Sequence, residues 1–161
     1  MRTRHDVQEP AEAETLAPAG PVLLGTLSAR VEPDAERFAV ESALEAGVPL
    51  LVVNAVPMPA LPRALALAGP EALSFPLEED YAAVRETAER AAALGIRVEH
   101  LRVSSPRPSK ALVQLANERG AGLLVLGPNR GRVSRWRFRR TAREVSRNAA
   151  CLVWIAGASP G

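Results

Sequence analysis

The chain has 161 residues, of which 47% are hydrophobic and 24% charged, and its formal net charge at pH 7 is +2. These values are typical of one soluble globular domain. No run approaches the roughly 18 uncharged apolar residues that a membrane-spanning helix needs. The N-terminal segment has no apolar core of the kind a secretory signal carries. The sequence therefore predicts a cytoplasmic protein that does not contact a membrane.

Cysteine and histidine are too sparse for most catalytic chemistry. Cys151 is the single cysteine, and it lies in the apolar run CLVWIA, which indicates a small buried hydrophobe rather than a nucleophile. The two histidines, His5 and His100, provide neither a zinc site nor a Ser-His-Asp arrangement. We therefore assign no catalytic and no metal-binding residue, and we expect a non-enzymatic protein with no cofactor.

Apolar runs and glycines set the predicted elements in chain order. Residues 1–20, rich in Ala, Glu and Pro, predict a disordered N-terminal tail, and 158–161 a C-terminal tail. Five apolar runs predict buried strands at 21–27, 49–56, 96–103, 122–127 and 151–156. Helical spacing ending at a glycine predicts helices over 34–47, 78–95 and 108–120, with a proline-rich loop at 57–76. A short helix beginning at Thr141 is predicted before the last strand.

The alternation of strands and helices determines the predicted fold class. Nearly all-apolar strands indicate a parallel sheet with both faces covered. With right-handed crossovers, residues 21–157 form an α/β domain: an open, five-stranded, parallel, doubly wound sheet with helices on both faces. Ligands of such folds bind outside the carboxyl ends of the strands. The loops after the first, second and fourth strands are therefore the places to look for a site.

Four motifs suggest a family. GAGLLVLG ends in Gly127, PRPSKAL spans Pro106 to Leu112, CLVWIA closes the domain, and Gly127 starts a stretch that aligns with G-x2-G-x9-G-[ST]. Together they resemble the universal stress protein family, which has an adenine nucleotide alpha hydrolase-like fold, over almost all of 21–157. The resemblance implies strand order 3-2-1-4-5, a role in stress response and dimerisation through the last strand. In the members that bind ATP, the glycine pattern wraps the phosphates.

The nucleotide-binding positions implied by the resemblance are degenerate in this sequence. The family's aspartate after the first strand corresponds to Leu27, and its second and third glycines correspond to Arg130 and Arg140. A Cβ at those two points would obstruct the close approach of a phosphate. Position 55 corresponds to the family's adenine-side position. The candidate ligand-binding residues are Thr26, Leu27, Ala55, Gly127, Asn129, Arg130, Gly131, Arg140 and Thr141. We expect a binding or scaffolding protein that does not hold ATP in the usual family pose.

Two readings of the altered loop stay open. The guanidinium groups of Arg130 and Arg140 could hold a phosphate-like anion or the phosphates of ATP or AMP, which would make the protein a nucleotide switch. Thr141 and Glu144 also match a capping box, in which Thr141 begins a helix and binds no ligand. We favour the capping box.

The arginine-rich stretch and the last strand allow further alternatives. Arg139, Arg143 and Arg147 follow one helical face, which favours a solvated stripe over contact with an acidic partner. Single-stranded nucleic acid could use these arginines with Trp136 and Phe138, but we expect no such contact, because the patch is one short run and both rings could anchor the loop instead. The predicted homodimer edge is Leu152, Val153, Trp154 and Ile155, where Trp154 either anchors the interface or packs inward.

Overall fold

The computed structural model describes residues 18–27, 30–58, 77–127 and 135–157, without the side chains of 77–80 and 135. The predicted tails at 1–20 and 158–161 and the predicted loop at 57–76 lie largely outside the described residues.

Strands and helices alternate along the described chain. They are β1 (Val22–Thr26), α1 (Pro33–Ala46), β2 (Leu50–Pro57), α2 (Leu77–Ala93), β3 (Val98–Ser105), α3 (Pro108–Glu118), β4 (Leu123–Leu126), α4 (Arg135–Asn148) and β5 (Leu152–Ile155). All neighbouring strands pair in parallel, and their order in the sheet is β3-β2-β1-β4-β5. The predicted fold class and strand order are therefore confirmed.

Local signals explain where α1 begins and ends. The Glu32 side chain accepts a hydrogen bond from the backbone N–H of Ala35 at 2.9 Å, and Pro33 occupies the first turn, where its missing N–H costs nothing. Gly47 ends the helix with φ 63°, a left-handed conformation that glycine adopts without a Cβ penalty. The C-terminal cap predicted at Gly47 is confirmed.

Helices cover both faces of the sheet. Successive strand residues point to opposite faces, so Leu24 and Val52 are buried beneath α1 and α2, while Leu124 is buried beneath α3 and α4. Val145 of α4 is fully buried in this second layer. Because helices cover both faces of the sheet, a ligand can reach the sheet only at its edges and at the ends of its strands.

None of the helices in the described part of the chain is long and apolar enough to cross a membrane.

Candidate functional site

The carboxyl ends of β1, β2 and β4 bring three of the predicted site positions together. β1 lies between the other two strands, Thr26 is paired in register with Asn54, and the Gly127 N–H donates to the Gly25 carbonyl at 3.3 Å. Thr26, Ala55 and Gly127 therefore lie near one another at the carboxyl edge of the sheet, and all three are buried. Thr26 is fully buried, and its hydroxyl donates to the Arg30 carbonyl at 3.1 Å.

Leu27 occupies the position where the family resemblance predicts an aspartate. Its side chain is partly buried and packs against the apolar layer beneath α3 and α4. An apolar side chain held in that layer supplies no acceptor for a ribose hydroxyl or an adenine amine.

Gly127 is required by packing as well as by its place in the motif. A Cβ built at Gly127 would lie 2.5 Å from the Ala35 Cβ and 2.9 Å from the Glu32 Cβ. Both contacts belong to the first turn of α1, so β4 and α1 approach each other closely only because position 127 has no side chain. The glycine thus allows the start of α1 to cover the end of β4.

Asn54 is a candidate site residue that sequence reasoning missed. It is only 2% exposed, and its Oδ1 atom has no hydrogen-bond partner among the described residues. Parallel register places it in one row between Thr26 of β1 and Arg102 of β3. A buried carbonyl oxygen without a donor is costly. The signal was a single polar residue inside the apolar run LLVVNAV.

The predicted capping box at Thr141 and Glu144 is wrong. Helix α4 begins at Arg135, more than one turn before Thr141, so Thr141 lies in the helix interior and cannot be its N-cap. Glu144 instead accepts a hydrogen bond from the Ser109 hydroxyl of α3 at 3.3 Å. The sequence pattern was present, but the helix extended through it, because a short motif does not determine where a helix starts.

The remaining motif positions divide between α4 and the part of the chain that is not described. Arg140 lies on the exposed side of α4, whereas Thr141 is half-buried. Asn129, Arg130 and Gly131 lie outside the described residues. The structure therefore places Arg140 on an exposed helix face and Thr26 and Ala55 in the interior, and it leaves the predicted role of Arg130 and Arg140 as phosphate ligands untested.

The arginine stripe of α4 is one wall of a groove. Arg139, Arg143 and Arg147 are all exposed, and they face the first turn of α3 across an open cavity of about 1010 Å³. Trp136 is 69% exposed at this groove, so the prediction that it anchors the loop against its own domain is wrong for this residue. Phe138 is half-buried.

The two readings of Trp154 are resolved in favour of inward packing. Its ring stacks on that of Phe38 from α1, with ring centroids 4.4 Å apart and an interplanar angle of 20°. β5 nevertheless lies at the edge of the sheet, as predicted, and Leu152 is 53% exposed there. Cys151 is partly buried, and this burial raises the pKa of its thiol, which disfavours the nucleophilic thiolate.

No group of three or more potential metal ligands from His, Cys, Asp and Glu occurs within the part of the chain that the structure describes.

An open parallel sheet with helices on both faces defines a class of α/β proteins whose small ligands bind outside the carboxyl ends of the strands. A family model described as the universal stress protein family matches residues 20–157. The chain belongs to the universal stress protein family, and the predicted resemblance is confirmed.

Solved structures agree with this assignment. A universal stress protein in complex with cAMP is 26% identical, with a TM-score of 0.60 over 87% of this chain and 98% of that chain. The Archaeoglobus fulgidus protein in complex with dAMP is 22% identical (TM-score 0.59, 86% and 98% covered). UspA from Lactobacillus plantarum is 20% identical (TM-score 0.66, 84% and 96% covered). No curated protein sequence gives a significant match to this chain.

Proposed function

We propose that this protein is a stress-response protein that acts by binding or scaffolding, without enzymatic turnover, and that it does not hold ATP in the usual family pose. One observation carries the proposal: the motif positions Arg140 and Thr141 lie within α4. In a helix interior each backbone N–H donates to the carbonyl four residues earlier. These N–H groups are therefore unable to cradle phosphates as the N–H groups of an open glycine loop do.

Residues at the carboxyl edge of the sheet support the same conclusion. Leu27 offers no acceptor where an aspartate would hold the nucleotide, and its side chain is packed in the core. The Glu32 carboxylate beside Gly127 caps α1, so it is already engaged by the Ala35 N–H. Catalysis of hydrolysis would need a free carboxylate or another base to activate water. We infer a cytoplasmic binding protein.

An adenine mononucleotide is the second candidate ligand. A family member that is 26% identical is described in complex with cAMP, a ligand with one phosphate. A single phosphate requires much less of the glycine loop than a triphosphate does. Ala55 keeps a small side chain at the adenine-side position, and the neighbouring Asn54 has a buried Oδ1 without a partner among the described residues. In this candidate the protein would be a nucleotide-dependent switch, with Arg130 and Arg140 as predicted phosphate ligands.

Calorimetric titration separates the two candidates. We expect no micromolar binding of ATP with or without Mg²⁺, whereas the second candidate requires binding of AMP or cAMP that does not depend on Mg²⁺. Inorganic phosphate tests for a small anion held alone. Arg130→Gln should weaken mononucleotide binding, whereas Arg37→Gln, on the outer surface of α1, serves as the matched control. Micromolar Mg-ATP binding that is lost in Thr141→Ala would refute the degenerate site.

We also infer a homodimer formed through β5. The strand lies at the sheet edge, and an unpaired edge readily accepts another strand. The Ala156 N–H donates to the Leu126 carbonyl of β4. Backbone N–H groups of successive strand residues point in opposite directions, so the N–H of Val153, three residues earlier, points away from β4. Val153→Pro therefore removes an outward donor while it spares the β4–β5 ladder.

Sedimentation analysis tests the dimer. The wild-type protein should sediment as a dimer, and both Val153→Pro and Leu152→Glu should shift it to a monomer with unchanged circular dichroism. A wild-type monomer at micromolar concentration contradicts the proposal. A dimer that persists in both variants places the interface elsewhere.

A further inference from the structure

A strongly basic groove lies between α3 and α4, on the side of the sheet opposite α1 and α2. Six cationic side chains line it, against one carboxylate, that of Glu144. The six are Arg107, Lys110, Arg139, Arg140, Arg143 and Arg147. Two of them come from the start of α3, so the charge is not confined to the arginine-rich run of the sequence. The fold assembles a two-walled surface from separate segments.

The groove cations have no acidic partners within the described residues. On other surfaces several arginines form ion pairs, for example Arg37 with Asp34 at 2.8 Å and Arg119 with Glu99 at 3.0 Å. The single groove carboxylate, Glu144, instead accepts a hydrogen bond from Ser109 and makes no ion pair. The Arg107 side chain does not cap α3, so the positive end of that helix adds to the same field. The groove therefore carries more positive charge than its one carboxylate can neutralise, and it is complementary to a polyanion.

The spacing and chemistry of the groove favour one class of polyanion. Arg139, Arg143 and Arg147 follow each other every four residues, so the Cα atoms of successive arginines are about 6 Å apart along the helix axis. This distance is comparable with the spacing of neighbouring phosphates on an extended single strand. Guanidinium binds phosphate in a planar, bidentate manner and stacks on aromatic faces. Trp136, which is 69% exposed at the same groove, offers a face on which a base could stack. An acidic peptide has no aromatic bases to use this face.

We propose that the α3–α4 groove binds single-stranded nucleic acid, with its phosphates along the α4 arginines and a base stacked on Trp136. The sequence alone led us to expect no such contact, because its basic residues formed one short run. The second wall from α3 and the exposure of Trp136 change that conclusion. Of the candidate nucleotide-site residues that the structure describes, Arg140 alone lines the groove, and the substitutions that test the inference leave Arg140 unchanged.

Fluorescence anisotropy of the full chain with a labelled 12-nucleotide oligouridine tests the proposal. Affinity should fall as salt rises, with a logarithmic slope near −0.7 for each phosphate contacted. Arg139→Gln/Arg143→Gln/Arg147→Gln should reduce the magnitude of that slope by about 2. Trp136→Ala should weaken binding about tenfold at constant salt, the loss expected for one stacked base.

Matched controls separate the groove from general positive charge. Arg37→Gln/Arg85→Gln/Arg97→Gln removes the same charge from other surfaces and should change affinity less than twofold. Circular dichroism shows whether each variant is folded. Absence of oligouridine binding, or an equal loss in the control triple variant, overturns the proposal. Equal binding of a poly-glutamate peptide, unaffected by Trp136→Ala, would instead identify an acidic protein as the partner and overturn it as well.

Discussion

Gly127→Ala should destabilise the folded protein even in the absence of any ligand. Position 127 does not have a positive φ, so an alanine backbone is compatible with it. The difficulty is space, because the new Cβ would lie 2.5 Å from the Ala35 Cβ and 2.9 Å from the Glu32 Cβ. Neither atom is the far end of a flexible side chain. Relief therefore requires β4 and the first turn of α1 to move apart.

The magnitude is the difference between two opposing effects. Overpacking in a close contact typically costs about 1–3 kcal/mol. Replacing glycine also restricts the unfolded chain, which stabilises the fold by about 0.4–1 kcal/mol. The net loss should be about 1–2 kcal/mol in the free energy of unfolding, or a fall in Tm of about 2–4 °C for each kcal/mol.

Urea unfolding monitored by circular dichroism measures this loss, and a double-mutant cycle identifies its source. Ala35→Gly removes the nearest Cβ, so the loss caused by Gly127→Ala should shrink by about 1 kcal/mol in the Ala35→Gly background. A Gly127→Ala protein within 0.5 kcal/mol of wild type would refute the packing argument. So would strict additivity of the two substitutions. Position 127 would then be glycine for the sake of a ligand alone.

Three further substitutions test other parts of the structure. Desolvation, and secondarily the Arg85 charge, lowers the pKa of His100 from 6.5, so the unfolded chain binds more protons than the folded protein just below pH 6.5. The free energy of unfolding should therefore decrease as the pH is lowered below 6.5, and His100→Gln should flatten this dependence in urea titrations at several pH values. Asn54→Leu should keep or raise stability in the same assay, since it removes a buried oxygen without a donor, and a loss above about 2 kcal/mol would show that this oxygen is bonded. Leu124→Ala leaves a cavity in a fully buried position and should cost about 2–5 kcal/mol by urea unfolding; a loss below 1 kcal/mol would contradict its place in the core.

Local sequence determined the elements and the fold class. Apolar runs of strand length and the helix-ending Gly47 are short-range signals, and the structure shows the predicted strands and cap. Because buried parallel strands require helices on both faces, the alternation was enough to predict the sheet. The motif around Gly127 then identified the family, and with it the strand order.

Tertiary structure decided the start of α4 and the surroundings of individual side chains. The Thr141–Glu144 pattern fits a cap, but α4 starts at Arg135, and the Glu144 side chain lies where the Ser109 hydroxyl of α3 reaches it. The stacking of Trp154 on Phe38 could not be inferred, because these residues are distant in the sequence and meet only when α1 packs on the sheet.

The same distinction applies to the functional surfaces. The sequence by itself determined that two of the three glycines of the family motif are replaced and that arginines are concentrated near the C-terminus. Only the fold placed α3 opposite those arginines and exposed Trp136 between them. Charge along a chain is a local property, whereas a binding groove depends on which distant segments packing brings together.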